Sequence, residues 1–364
     1  MSSYKTTTLS LIQAPDNLAF KSVPYIIDDY ALAMYLRVRC KTIWYCISCK
    51  PKMYTSFNIP KANGKVRAIH NPKPALKFIQ RRIDSVILKR LPLLECVGAY
   101  VPGKSCLDSA MQHVGQGVRV GMDIRDFFPT HTRGGVRQFF HEHVGYSMYV
   151  AGLLADLCTV PRKVRSKTKG EFTRHDVPQG SPASPTLCNL IAQEKFDRAV
   201  LEALGPEGWT YTRYSDDLTL SHPEDLKRKD VDDAIKQVRK LMGVAGYRDN
   251  PKKLKIQRRW RQQRMLGIVV NEKPNIPRHT YRLFRSLMHN CLAHGFEPNA
   301  AMYGWNDADG DFIEHLKGKL SYFQSINVEK ATKLRTVFDQ ALQQHEPERV
   351  HNGATKTLTT GQSS

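Results

Sequence analysis

The stretch Trp209-Thr-Tyr-Thr-Arg-Tyr-Ser-Asp-Asp-Leu-Thr-Leu-Ser221 decides the fold. It reads as a β-hairpin with Tyr214-Ser-Asp-Asp217 at the tip and the apolar Tyr211, Leu218 and Leu220 in its arms. Adjacent aspartates between apolar arms are costly, because like charges repel and resist desolvation. Divalent cations remove that conflict. Two Mg²⁺ ions held by carboxylates can activate an attacking hydroxyl and stabilise the departing pyrophosphate oxygens of a nucleotidyl transfer. A hairpin tip delivers only two acids, so another strand must bring a third.

Residues 117 to 124 supply that strand. Val118, Val120, Met122 and Ile124 alternate with Arg119, Gly121 and Asp123, which predicts one buried face and one polar face carrying Asp123. The strand runs into Gly121-Met-Asp-Ile-Arg-Asp-Phe-Phe128, and Val177-Pro-Gln-Gly-Ser-Pro-Ala-Ser-Pro185 lies between it and the hairpin. Asp216 and Asp217 alone would suit a solvated turn. The three segments in this order point instead to a two-metal site of Asp123, Asp216 and Asp217.

Other elements follow from spacing. Asp29 to Val38 predicts a helix, and Ile59 to His70 two short strands joined by an Asn63-Gly64 turn. Leu76, Ile79, Ile83, Val86, Ile87 and Leu91 recur at helical spacing among Lys77, Arg81, Arg82, Lys89 and Arg90. Ser184-Pro185 reads as cap and first turn of a helix reaching Leu204. Val231 to Met242 forms an amphipathic helix ended by Gly243, and Leu283, Phe284, Leu287, Met288 and Cys291 make a helical stripe beyond Pro277. Residues 346–364 are polar and expected to be disordered.

Composition bounds the partners. Lys and Arg number 55 against 34 Asp and Glu in 364 residues, a net +21 with pI ≈ 9.7. Such a surface attracts polyanions and releases their counterions, so nucleic acid is the first partner to consider, with solubility as the competing reading. No run approaches the ~18 apolar residues of a membrane span, and the N-terminus lacks a signal-peptide pattern. A soluble, cytoplasmic protein without a membrane partner is expected. The eight cysteines do not suggest a disulfide scaffold, and Cys46 and Cys49 lack a second pair at zinc-finger spacing, so reduced thiols are expected.

Taken together, these motifs resemble those of reverse transcriptases over roughly Ile59 to Pro277. Tyr214-Ser-Asp-Asp217 matches the family's catalytic hairpin, Asp123 to Phe128 its first metal-binding strand, and Pro178 to Pro185 the segment under the incoming nucleotide. The resemblance implies an α+β right-hand polymerase. Residues 1–115 would form the N-terminal region and fingers. Residues 116–272 would form a palm of antiparallel sheet and helices, with a fingers insertion near 130–178, and 273–345 a helical thumb. Asp123 and Asp216 would bind both Mg²⁺ ions, for which Mn²⁺ can substitute; Asp217 would be a less central acid, and the Ile124 carbonyl would complete one coordination sphere. Phe128 falls where the family places a bulky side chain against the sugar 2′ position, which favours dNTPs and argues against an RNA-making polymerase. Simple core packing is the competing reading for Phe127 and Phe128, and one of the two is expected to be core.

Lys61, Lys65 and Arg67 resemble residues that grip the triphosphate, a solvated hairpin being the alternative. Gln179 would contact the substrate sugar or base, and Lys253 resembles the family's proposed proton donor to pyrophosphate. The basic run from Tyr247 to Arg264, with Arg258, Arg259, Trp260, Arg261 and Arg264, would meet nucleic acid. Met265 to Val270, with Leu266 and Gly267, would form the primer grip. A second basic run (Arg162, Lys163, Arg165, Lys167, Lys169, Arg174) would follow another nucleic-acid backbone, a mobile loop being the alternative.

Ser109-Ala-Met-Gln-His113 resembles the retron element Asn-Ala-x-x-His, with Ser for Asn. Val269 to Arg278 reads like the retron continuation, with Met265-Leu-Gly267 in place of Val-Thr-Gly and Ser215 in place of Ala. A retron-type enzyme would copy a structured non-coding RNA into 2′–5′ branched, RNA-linked single-stranded DNA, within an anti-phage module that includes a separate effector protein. A defence reverse transcriptase outside the retrons, or a ribonucleoprotein scaffold restraining the effector, would share most of these features.

Overall fold

Among the described residues, ten strands and the helices around them place Asp123, Asp216 and the basic runs. The structure is a computed structural model that describes residues 22–60, 64, 66–166, 170–305 and 310–349. Lys61, Lys65, Lys167, Lys169 and residues 350–364 lie outside the described residues. The strands run in chain order as β1 (Tyr54–Pro60), β2 (Val66–Pro72), β3 (Val118–Asp123), β4 (Val160–Ser166), β5 (Gly170–Asp176), β6 (Thr210–Tyr214), β7 (Asp217–His222), β8 (Lys255–Arg258), β9 (Arg264–Met265) and β10 (Ile268–Val269). β1 pairs antiparallel with β2, Tyr54 opposite Pro72 and Pro60 opposite Val66. β4 pairs with β5 in the same way, and β9 with β10. One four-stranded sheet has the order β6-β7-β3-β8. Among the described residues no helix is long and apolar enough to cross a membrane.

Contacts divide the chain into two compact units, and β3 and β7 contribute residues to both. The first comprises the described residues up to Gly103, with those of Gly121–Thr219 and Lys227–Leu254. Its helix Asp29–Leu36 starts where the Asp28 carboxylate accepts the Ala31 N–H at 2.7 Å and closes at Arg37 in the left-handed region. Helix Pro74–Val86 opens on proline and buries Leu76, Ile79 and Ile83, the stripe its spacing predicts. Helix Ser184–Ala192 continues through a π-turn at Gln193–Asp197 to Leu204. Ser184 is its first helical residue rather than its cap; Ala183 takes that place. Gly243 does not end helix Arg228–Val244, because its backbone stays helical and the left-handed turn falls to Gly246. Of the second basic run, Arg162 and Arg174 are turned inward onto the buried Asp176, at 2.8 and 2.6 Å.

The second unit comprises Lys104–Val120, Leu220–Leu226 and the described residues from Lys255 onward. Helices Arg278–His294, Phe296–Met302, Phe312–Ile326 and Val328–His345 enclose a core that includes Phe284, Met288, Leu316, Leu320, Phe323 and Phe338. Phe284, Leu287, Met288 and Cys291 are buried as their spacing predicts, whereas Leu283 is exposed. Residues 346–349 belong to this body rather than to a tail, since Arg349 meets Asp311 at 2.5 Å. β3 lacks the exposed polar face that its alternation predicts. Arg119 is buried, because its guanidinium finds acceptors inside: it donates to Gln257 Oε1 at 2.6 Å and to the Arg264 carbonyl at 2.8 Å.

Candidate active site

In the first unit, Asp123 ends β3 and Asp216 lies in the turn between β6 and β7. That turn is tight because Ser215 takes φ +60°, a left-handed conformation uncommon outside glycine. The Ile124 N–H donates to the Asp216 carbonyl at 2.8 Å, which holds the two segments side by side. Asp123 is buried. Asn250 reaches it twice, its N–H on the Asp123 carbonyl at 3.0 Å and its Nδ2 on Oδ1 at 2.9 Å, while Lys253 Nζ ion-pairs with Oδ2.

The electrostatics follow from burial. Desolvation, with the Asp123 carboxylate alongside, pushes the Asp216 carboxyl above its ordinary range even though the backbone N–H of Asp216 opposes the shift. Burial alone would lower Lys253, but Asp123, Asp216 and Asp217 outweigh it and hold the ammonium above its usual range. Asp217 opens β7 and is exposed. Among the described residues no three His, Cys, Asp or Glu side chains are grouped so as to hold a metal. The structure therefore brings Asp123 and Asp216 together and leaves Asp217 at the rim. The pair still suits a hard divalent cation, because it offers carboxylate oxygens where burial makes uncompensated negative charge unfavourable.

A cavity of about 940 Å³ opens over these residues, lined among others by Arg67, Lys77, Tyr100, Phe128, Gln179 and Lys253. Phe127 is buried against His131 and Tyr247, with the Arg213 guanidinium 5.5 Å from its ring centre. Phe128 is only half-buried. Of the two rings, Phe127 is core. Gln179 is carried by a segment docked on β2: its carbonyl accepts the His70 N–H at 2.8 Å, and Gly180 beside it has φ +109°. A Cβ on Gly180 would lie 2.9 Å from Ile69 Cγ2 and 3.0 Å from the His70 carbonyl oxygen, so only glycine permits this approach. Beneath the segment, Ser181 Oγ donates to Gln80 Oε1 at 2.8 Å, and Gln80 Nε2 donates to Tyr54 and to the Leu157 carbonyl.

Sequence reasoning missed the support under the hairpin. Arg213 is fully buried; its Nη2 lies 2.7 Å from Asp197 Oδ2 and its Nη1 2.7 Å from Asn189 Oδ1. The available signal was an arginine inside an apolar strand. Tyr100 and Lys77 also line the cavity, and no sequence motif marks either of them.

In the second unit, Arg259, Trp260, Arg261 and Arg264 are exposed, Trp260 at 67%. Leu266 and Gly267 make the turn between β9 and β10 with φ +48° and +88°. Arg258 departs from expectation, since its guanidinium is spent on the Asp225 carboxylate and the Leu226 carbonyl. Ser109 and His113 are both buried, and His113 Nδ1 lies 2.6 Å from Ser221 Oγ. Burial, aided by Arg119, lowers His113 to about 3. Cys46 and Cys49 are free thiols.

Residues 59–270 match the family model described as reverse transcriptase (RNA-dependent DNA polymerase). The retron Mx65 reverse transcriptase of Myxococcus xanthus is 33% identical over 77% of this chain and 63% of its own length. The retron Mx162 reverse transcriptase of the same organism is 31% identical over 74% and 57%. The retron Ec86 reverse transcriptase of Escherichia coli is 26% identical over 86% and 89%. The chain thus spans about three fifths of the length of the two Myxococcus relatives.

Proposed function

The chain belongs to the reverse transcriptase family, and from that premise we propose that it is an RNA-directed DNA polymerase that copies a structured non-coding RNA into single-stranded DNA. The product is RNA-linked through a 2′–5′ branch, and the enzyme serves an anti-phage system with a separate effector protein. The observation that carries the polymerase reading is the pairing of Asp123 with Asp216 in a cavity whose walls hold Arg67, Phe128 and Gln179. Asp123 and Asp216, with Asp217 and the Ile124 carbonyl, would hold Mg²⁺ or Mn²⁺, which would supply Lewis acidity to the attacking hydroxyl and neutralise charge at the departing pyrophosphate.

The chain's own residues do the rest. Arg67, with Lys61 and Lys65, binds the triphosphate of a dNTP. Gln179 meets its sugar or base from a segment fixed to β2. Phe128 excludes a ribose 2′-hydroxyl. Lys253, released from Asp123, gives a proton to the leaving pyrophosphate. Support for the retron reading comes from the relatives and from the Ser109–His113 and Val269–Arg278 segments.

Primer extension on an RNA template with Mg²⁺ tests the site. Asp123→Asn and Asp216→Asn each lower extension at least about a thousandfold, because lost metal ligands remove several kcal/mol of transition-state stabilisation, while circular dichroism and RNA binding stay close to wild type. Near-normal extension by either variant refutes the assignment. The branch is tested on nucleic acid extracted from the purified protein: debranching enzyme shifts its mobility, and linear DNA alone would point to a reverse transcriptase outside the retrons.

A further inference from the structure

Tyr100 takes no part in the reading above, yet its backbone is forced. Its φ of +58° is an outlier for an aromatic residue and persists only where the surroundings impose it. The imposition is visible on its N-terminal side. The Ala99 carbonyl accepts Asn189 Nδ2 at 2.7 Å within the core. Gly98 N–H donates to the Arg213 carbonyl at 2.9 Å and Arg213 N–H to the Cys96 carbonyl at 2.8 Å, so this segment is stitched to β6. Asn189 is itself fixed by the buried Arg213 guanidinium.

The result is an aromatic ring that stays 51% exposed and lines the cavity with Asp123, Asp216 and Gln179. There it meets Phe128 edge to face, with centroids 6.4 Å apart and planes at 67°. Phe127 contacts Phe128 at 5.6 Å and 77°. Phe128 therefore has one buried ring and one exposed ring as its neighbours. A half-buried side chain with only one such wall would rotate out of the way, and a side chain that rotates discriminates poorly between sugars.

We propose that Tyr100 is a positioning residue for sugar selection: its ring holds Phe128 where a 2′-hydroxyl would have to sit. This rests on the assignment of Phe128 as the gate, and the experiment separates the two. Incorporation of each dNTP and its matching rNTP on a primed RNA template gives a discrimination ratio from kcat/KM. In Tyr100→Ala the ratio falls between about twofold and tenfold, the population shift that one edge-to-face contact sustains. The change falls on the rNTP side, chiefly as a lower KM. Tyr100→Phe, which keeps the ring, keeps the wild-type ratio. Phe128→Val lowers the ratio further, and Tyr100→Ala combined with Phe128→Val matches Phe128→Val alone, because nothing remains to be positioned. Tyr100→Gly, which suits the positive φ, replaces the alanine variant if that one folds poorly. An unchanged ratio in Tyr100→Ala beside a lowered one in Phe128→Val overturns the proposal and spares the gate. Additive effects in the double variant, or a Tyr100→Phe as defective as Tyr100→Ala, also overturn it. If Phe128→Val leaves the ratio unchanged, the gate itself is wrong and the role of Tyr100 falls with it.

Discussion

Arg213 carries a full charge at no solvent exposure, three residues before Asp216. Its partner Asp197 is equally buried, so each charge is tolerable only in the company of the other. Arg213→Met should lower stability by about 3–5 kcal/mol, the usual cost of stranding one buried ion. Adding Asp197→Leu should recover most of that loss, and chemical denaturation of both variants reads the difference. A single variant as stable as the parent would mean that the pair is not buried in solution. His113 and His131 make a second residue-scale case. Burial lowers both to about 3, with Arg119 adding to the effect at His113, and Arg213 and Lys195 at His131. Between about pH 6.5 and 3 the unfolded chain takes up protons that the folded chain refuses, so stability falls as the pH falls through that window. Each histidine contributes a slope of up to about 1.4 kcal/mol per pH unit. His113→Gln should therefore flatten the loss of stability between pH 6 and 4, and an unchanged slope would contradict the buried neutral imidazole. Asp123, Asp216 and Phe128 were legible as candidates because local motifs carry them. Asn189, Arg213 and Tyr100 were not, because their roles depend on partners such as Ala99, 90 residues from Asn189.

Among the elements, the docking of Val177–Pro185 on β2 has the clearest consequence. Gly180→Ala must either push Ile69 and the His70 carbonyl aside or lift the segment from β2. Both displace Gln179, so KM for dNTPs should rise several-fold while stability drops by about 1–3 kcal/mol. Steady-state extension and thermal melting measure the two, and wild-type KM in this variant would detach Gln179 from the substrate. Strands and helices with clear periodicity, such as β1–β2, Pro74–Val86 and Arg278–His294, could be read from spacing alone. Helix Cys40–Ser48 could not, because Ile43, Trp44, Tyr45 and Cys46 are contiguous and show no period. The polar face of β3 was misread for a different reason. Alternation reports which residues differ in polarity; it does not report that Gln257 and the Arg264 carbonyl wait to take the Arg119 guanidinium inside.

At the scale of the whole molecule, the count of 55 Lys and Arg overstates the cations available to a polyanion. Arg162, Arg174, Arg213 and Arg258 are bound to internal acids or carbonyls. Arg259, Arg261 and Arg264 are exposed beside Trp260, which makes this stretch the strongest candidate for a nucleic-acid track in the second unit. The distinction can be measured with a labelled RNA hairpin carrying a single-stranded flank, its affinity followed as salt is raised. If the three arginines each neutralise a phosphate, replacing all of them with alanine should reduce the slope of log K against log salt by about 2–3. Arg258→Ala should leave that slope alone and lower the melting temperature instead, since it frees Asp225 rather than a phosphate contact. Trp260→Ala should weaken binding by about 1–3 kcal/mol at an unchanged slope, as expected for a ring that stacks on a base. Equal slopes for the triple variant and the parent would place the RNA on another face, and a reduced slope in Arg258→Ala would show that its pairing with Asp225 gives way when RNA arrives.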